Sequence, residues 1–151
     1  MTNEALIAAI GKKEAQAETK TGAQYVETFV PLDRLHDFMV QLKEDKDLAF
    51  DYLICVTGVD HADHLQMVYH LESTHHKHML VVKVKTTDRQ NPVVETVSDI
   101  WPTAEFHERE AFDLLGITFS NHPDLRRLFL DENWGFPLRK DYKDDIHIVS
   151  R

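Results

Sequence analysis

The residues on either side of Gly116 constrain this chain more than any other stretch. Before Gly116 runs Trp101-Pro102-Thr103-Ala104-Glu105-Phe106-His107-Glu108-Arg109-Glu110-Ala111-Phe112-Asp113-Leu114-Leu115. After it comes an irregular tail with His122-Pro123, Arg126-Arg127 and Pro137-Leu138-Arg139-Lys140-Asp141-Tyr142. Pro102 suits a first helical turn, Glu105 complements the positive end of the helix dipole, and Gly116 is the residue type that closes a helix in a left-handed conformation. The spacing predicts a helix of about three turns.

At ~100° per residue, Ala104, Ala111, Phe112 and Leu115 share one side of that helix, with Glu108 among them. Desolvating an unpaired carboxylate costs several kcal/mol, so Glu108 is expected either to be neutral or to meet a cation; Arg126, Arg127, Arg139 and Lys140 are the nearby candidates. The opposite side carries the reverse anomaly, Phe106 among Arg109, Glu110 and Asp113. Both faces are therefore expected to be covered, one by the domain and the other by a second protein.

Residues 117–142 contain Pro123 and Pro137 and no extended helical stripe. Ile117, Phe119, Leu125, Leu128, Phe129, Leu130, Trp134, Phe136 and Leu138 make them too apolar for a solvated tail. They read as an extended strap lying against something. Arg126-Arg127 and Arg139-Lys140, interspersed with acids, read as ion-pair partners within the chain or across an interface.

Glu108-Arg109-Glu110, Phe112-Asp113, Gly116, His122-Pro123, Leu125-Arg126-Arg127-Leu128 and Pro137-Leu138-Arg139-Lys140-Asp141-Tyr142 together resemble the C subunit, the thirty-kilodalton subunit, of proton-pumping NADH:quinone oxidoreductase, respiratory complex I. One departure is visible: the segment from Trp134 to Gly135 is a residue shorter than is usual in that family. The resemblance implies a non-catalytic scaffolding subunit beside the D subunit and other subunits of the hydrophilic arm. NADH, FMN, iron–sulfur clusters and quinone would be held by neighbours, with no cofactor on this chain. It further implies a peripheral place on the cytoplasmic face of the cell inner membrane. Trp134, Phe136 and Tyr142 are then candidate interface anchors, being residue types that fill pockets. Equivalent subunits serve membrane-bound hydrogenases, formate hydrogenlyases and other quinone reductases that lack an NADH module, and the motifs do not separate these.

Taken in order, residues 3–18 read as a helix, Gln24 to Val30 as a strand, and Pro31 onward as an amphipathic helix through Leu32, Leu35, Phe38, Met39 and Leu42. Phe50 to Val59 reads as a second strand. Alternation in Leu65-Met67-Tyr69-Leu71 and Leu80-Val82-Val84 marks two more, joined by a hairpin at residues 72–77. Pro92 is expected to open a short helix using Val94, Val97 and Trp101. The class is α+β: a two-layer sandwich with a mainly antiparallel sheet over residues 1–116, ending in the Glu-Arg-Glu helix, then a strap over 117–151.

A formal net charge of −9 disfavours nucleic acid and anionic lipid as partners. The lone Cys55 excludes a disulfide framework and an iron–sulfur cluster held by this chain alone; its apolar surroundings read as a buried, inert thiol. No apolar run approaches the ~20 residues that span a bilayer, and no secretory leader is visible, so membrane contact is expected only through partners. Six of ten histidines fall between His61 and His78. A free-standing metal-dependent enzyme is the distant alternative they raise, although the i, i+4 spacing of a zinc protease is missing.

Overall fold

In the computed structural model, which describes residues 1–144, helix α1 (Asn3–Lys13) leads into strands β1 (Glu18–Thr21) and β2 (Val26–Phe29). A 3-10 turn (Leu32–Arg34) runs into α2 (Leu35–Glu44), followed by β3 (Tyr52–Asp60), β4 (Leu65–Ser73) and β5 (His78–Thr86). Then come β6 (Val93–Glu95), α3 (Ala104–Leu115), β7 (Thr118–Ser120) and the strap. The five-stranded sheet has the order β1-β2-β5-β4-β3; every pairing is antiparallel except β2 with β5. This is the α+β, mainly antiparallel class that the alternating residues predict.

The period of two in β4 and β5 sends Leu65, Met67, Tyr69, Leu71, Leu80, Val82 and Val84 to one face, all fully or almost fully buried. Helices cover that face. Leu6 and Ile10 of α1, Leu35, Phe38, Met39 and Leu42 of α2, and Ala104, Ala111 and Leu115 of α3 complete one core. A bulge at Ile54 breaks the alternation of β3, so that Leu53 and Val56 both face inward. Cys55 is thereby turned out. It is half-buried, not buried as its apolar run suggests, with Sγ 3.4 Å from His70 Nδ1.

Two segments differ from the sequence reading. Residues 93–95 form a strand rather than a helix, pairing in parallel with β7: Val94 opposes Phe119 and Glu95 opposes Ser120. Val94, Val97 and Trp101 are all buried as expected, but a parallel partner some 25 residues away satisfies the backbone. Apolar spacing of three or four reports which residues face inward, not which bonds the main chain makes. Strand β1 falls where the sequence shows only the end of a helix and a loop. It is a polar edge strand, exposed on most of its length, and so carries no apolar alternation to read.

Gly116 closes α3 in the left-handed region at φ 71°, and its amide donates to Phe112 O. A methyl group there would stand 2.6 Å from the Phe136 ring. Gly116→Ala is therefore expected to cost about 2 kcal/mol from backbone strain alone, plus displacement of the ring. Thermal unfolding should register about 2–4 °C per kcal/mol for a chain of this size.

Candidate functional site

Helix α3 carries ionisable side chains to two separate places. On its inner side Glu108 is fully buried. Its Oε1 accepts from the Val97 amide at 2.8 Å, and its Oε2 accepts from Thr96 Oγ1 at 2.5 Å. Thr96 Oγ1 in turn accepts from the Ser98 amide at 3.1 Å. The carboxylate thus clasps the turn after β6 to the helix. None of the four cations expected from the sequence reaches it. The nearest basic group is His122 Nε2 at 3.7 Å, and this ring is committed elsewhere: Nε2 donates to Glu105 O at 3.0 Å while Nδ1 accepts from the Asp124 amide at 3.0 Å. Both ring nitrogens are therefore already engaged. Burial pushes the Glu108 carboxyl up to about 7, against the lowering effect of its two hydrogen bonds. Beside it the Tyr69 phenol is held well above its ordinary range, first by burial and second by the Glu108 charge.

On the outer side, Arg109 and Asp113 are also buried, because the strap lies over them. Asp113 Oδ2 accepts from the amides of Phe129 (2.7 Å) and Leu130 (3.1 Å), and Oδ1 accepts from Arg127 Nη1 at 3.2 Å. Arg109 donates through Nε to Arg126 O at 3.3 Å and through Nη2 to Arg127 O at 2.9 Å. One acid and one base of the helix therefore replace the backbone partners that an irregular segment cannot supply for itself. On the face assigned in the sequence to a second protein, Arg109 and Asp113 are covered by this chain's own strap, while Phe106 and Glu110 stay exposed. The reason is a range of interaction that helical periodicity does not contain.

Farther along, Phe136 sits between two guanidinium groups, 5.0 Å from Arg127 and 5.3 Å from Arg139. Arg127 also donates to Asp113 O, Gly135 O and Trp134 O. Arg139 donates to Leu115 O at 2.6 Å and Arg89 O at 2.8 Å. At Lys140 the strap is pinned to Asp60, the last residue of β3, which accepts from both Nη atoms of Arg89 and from the amides of Ala62 and Lys140. Arg89, followed by these amides, holds the Asp60 carboxyl well below the usual carboxylate range. Nothing in the sequence links Asp60, which stands in the histidine-rich run, or Arg89 to the strap; they meet it only in three dimensions.

Among the motif residues, Glu108, Arg109, Asp113, Gly116, His122, Arg127 and Arg139 all engage their own chain. Phe112 is half-buried against Phe136 at 6.4 Å between centroids. Pro137 and Trp134 are half-buried, and the Tyr142 hydroxyl donates to Asp144 at 2.6 Å. Glu110, Pro123, Arg126, Lys140 and Asp141 are exposed; Arg126 pairs with Asp124 at 2.9 Å and Asp141 with Arg89 at 3.4 Å. Three large apolar side chains on α3 and the strap stand largely free: Phe106 is 58% exposed, Phe129 68% and Leu138 60%. Strap residues 145–151 lie outside the described residues. Apart from His70, the histidines of the 61–78 run fall at opposite ends of β4, in or beside the turns that join it to β3 and to β5. His61 and His64 stack at 4.6 Å, while His76 and His78 each bond a backbone carbonyl, of Lys46 and Leu48. Among the described residues no three potential metal-ligand side chains come together, and no helix is long and apolar enough to cross a membrane.

Residues 28–146 match the family described as "Respiratory-chain NADH dehydrogenase, 30 Kd subunit". The NADH-quinone oxidoreductase C subunit 2 of Rhizobium meliloti is 40% identical over 152 residues, covering 94% of this chain and 82% of that one. The NADH-quinone oxidoreductase C/D subunit of Phocaeicola vulgatus is 46% identical over 120 residues. The match takes in 78% of this chain but 23% of that relative, so the chain spans about a quarter of its length. Among solved structures, a chain of the membrane-bound sulfane sulfur reductase, an archaeal respiratory membrane complex, superimposes with a TM-score of 0.80 at 28% identity, covering 93% of this chain and 85% of that one.

Two outcomes are expected of this site. Asp113→Ala should cost about 3–5 kcal/mol, the usual penalty for stranding one member of a buried ion pair, and should speed hydrogen exchange at the Phe129 and Leu130 amides; Glu110→Ala should leave both unchanged. Because the Glu108 carboxyl is higher in the folded chain than its ordinary 4.5, the folded state holds that proton more tightly than the unfolded one. Its contribution to stability is therefore greatest below about pH 4.5 and is lost as pH rises toward 7. Denaturant titrations across that window should show on the order of 3 kcal/mol of pH dependence that Glu108→Gln removes.

Proposed function

Since the chain belongs to the family of the 30 kDa subunit of respiratory-chain NADH dehydrogenase, we propose that it is a non-catalytic, positional subunit of the peripheral arm of a proton-translocating NADH:quinone oxidoreductase. The observation that carries this reading is how the strap divides its groups. Arg109, Asp113, Arg127 and Arg139 are all used in folding the strap down, while Phe106, Phe129 and Leu138 are left facing outward. Exposed rings on a segment this heavily braced suit a rigid docking surface. Phe136 is an anchor candidate by residue type as well, but its ring is taken up between Arg127 and Arg139.

The partner is the D subunit, a reading supported by relatives in which C and D are one polypeptide. Fusion keeps two surfaces adjacent without the entropic cost of association. NADH, FMN, iron–sulfur clusters and quinone are handled by neighbouring subunits. A single half-buried thiol cannot hold a cluster, and the buried acids of α3, Glu108 and Asp113, already have intramolecular partners. The chain is then peripheral, at the cytoplasmic face of the inner membrane and attached through its partners. It contributes to electron transfer and proton pumping by fixing the geometry of others.

A second reading, the equivalent subunit of a respiratory membrane complex without an NADH module, is favoured by the likeness to the sulfane sulfur reductase chain. Purifying the tagged chain with its assembly separates the two: co-isolation of the D subunit with NADH:quinone activity supports the first, and hydrogenase-type or sulfur-reducing subunits without NADH oxidation support the second. The double substitution Phe106→Asp/Phe129→Asp should lower recovery of the D-containing complex at least about tenfold, the effect of losing more than one hot spot. The circular dichroism of the isolated chain should stay unchanged, since neither ring is buried.

A further inference from the structure

The two edges of the five-stranded sheet are built differently. Strand β1 has four residues, two of them charged, which is a common way of discouraging further strand pairing. Strand β3 has nine residues, and from Tyr52 to Val59 none is charged and none is proline. Among the described residues, no backbone hydrogen bond joins 52–59 to anything but β4. The outer row of donors and acceptors on β3 is therefore unmatched among the described residues. Tyr52 and Thr57 are exposed along it. An uncharged edge of this length is a liability unless something covers it.

The space beside that edge is shaped. Val56 to Gly58 form one wall of a cleft, His107, Glu110 and Leu114 of α3 the other, and Leu138 of the strap closes an end. Gly58 keeps the walls close, since a Cβ there would stand 2.5 Å from Leu115 Cδ1. We propose that the outer edge of β3 is a second docking site, one that takes an extended segment of a partner subunit by backbone pairing. This rests on the reading of the chain as a subunit and is distinct from the surface of Phe106 and Phe129, with Leu138 standing at the border of both.

A strand added ~4.8 Å beyond β3 runs beside α3, with alternate side chains meeting Leu114 and Leu138. Open backbone groups select an extended chain over a helix, because only a strand presents matching groups at that repeat. The rim carries exposed Glu110 and, beyond Leu138, exposed Asp141 on a chain of net charge −9. The fitting segment is apolar at every second position and carries a Lys or Arg where it passes Glu110. The same charge disfavours a second copy of this chain, which would set acidic rim against acidic rim.

Hydrogen exchange of residues 52–59, compared between the isolated full chain and the purified assembly, tests this together with a photo-crosslinking residue placed at position 57 in the assembly. The expected result is exchange slowed at least about tenfold on assembly, with crosslinks to one contiguous segment of another subunit. Thr57→Lys should reduce recovery of the assembly several-fold without lowering the Tm of the isolated chain. Unchanged exchange at 52–59 within an intact assembly overturns the proposal. So do crosslinks confined to a second copy, to a helix of a partner, or to residues 145–151 of this chain. A chain that assembles with no partner at all removes the subunit reading and this site with it, whereas an intact assembly with an unprotected β3 removes only this site.

Discussion

The Asp113 carboxylate is the interaction on which the last third of the molecule depends. An irregular segment has no internal ladder for its main-chain groups, and laid on an apolar helix it would bury them without partners. Asp113 takes two of those amides and Arg109 takes two carbonyls, while Arg127 links Asp113 to the carbonyls of Trp134 and Gly135. The helix thus acts as a template on which the strap beyond β7, with no helix or strand among its described residues, becomes well defined. That arrangement explains why charged residues lie on the outer face of α3, where a helix touching only solvent would not have to bury them.

Glu108 solves the same problem on the other face, with a different balance. Among the described residues no lysine or arginine pairs with it, so burial raises its proton affinity until its charge is marginal near neutral pH, while two donors still hold the charged form in place. Replacing a charge pair by hydrogen bonds avoids burying a second charge, and makes the contribution to stability depend on pH. The benefit is position. Glu108 ties the turn after β6 to α3, β6 pairs with β7, and β7 begins the strap.

Much of this is legible in the chain itself. The alternation in β4 and β5, the amphipathic spacing of α2, the closure of α3 at Gly116 and the anomaly of a carboxylate on an apolar helix face can all be read from neighbours within a few residues. The pairing of β6 with β7 is not legible, because Val94, Val97 and Trp101 bury themselves equally well from a helix or a strand. Nor is the bulge that turns Cys55 outward, since one extra residue in a strand leaves no mark in an apolar run.

What the sequence determined by itself is which residues leave water: hydrophobicity and helix-ending chemistry are properties of short windows, and they held for the sheet, for α3 and for the motif that places the chain in its family. What only the tertiary structure decided is which charge meets which. Arg127 chose Asp113 over Glu108, Arg139 chose backbone carbonyls, and Arg89 met Asp60 from 29 residues away. Ion pairs and hydrogen bonds depend on distances of a few ångströms between groups far apart along the chain, and those distances exist only once the sheet and helices have packed.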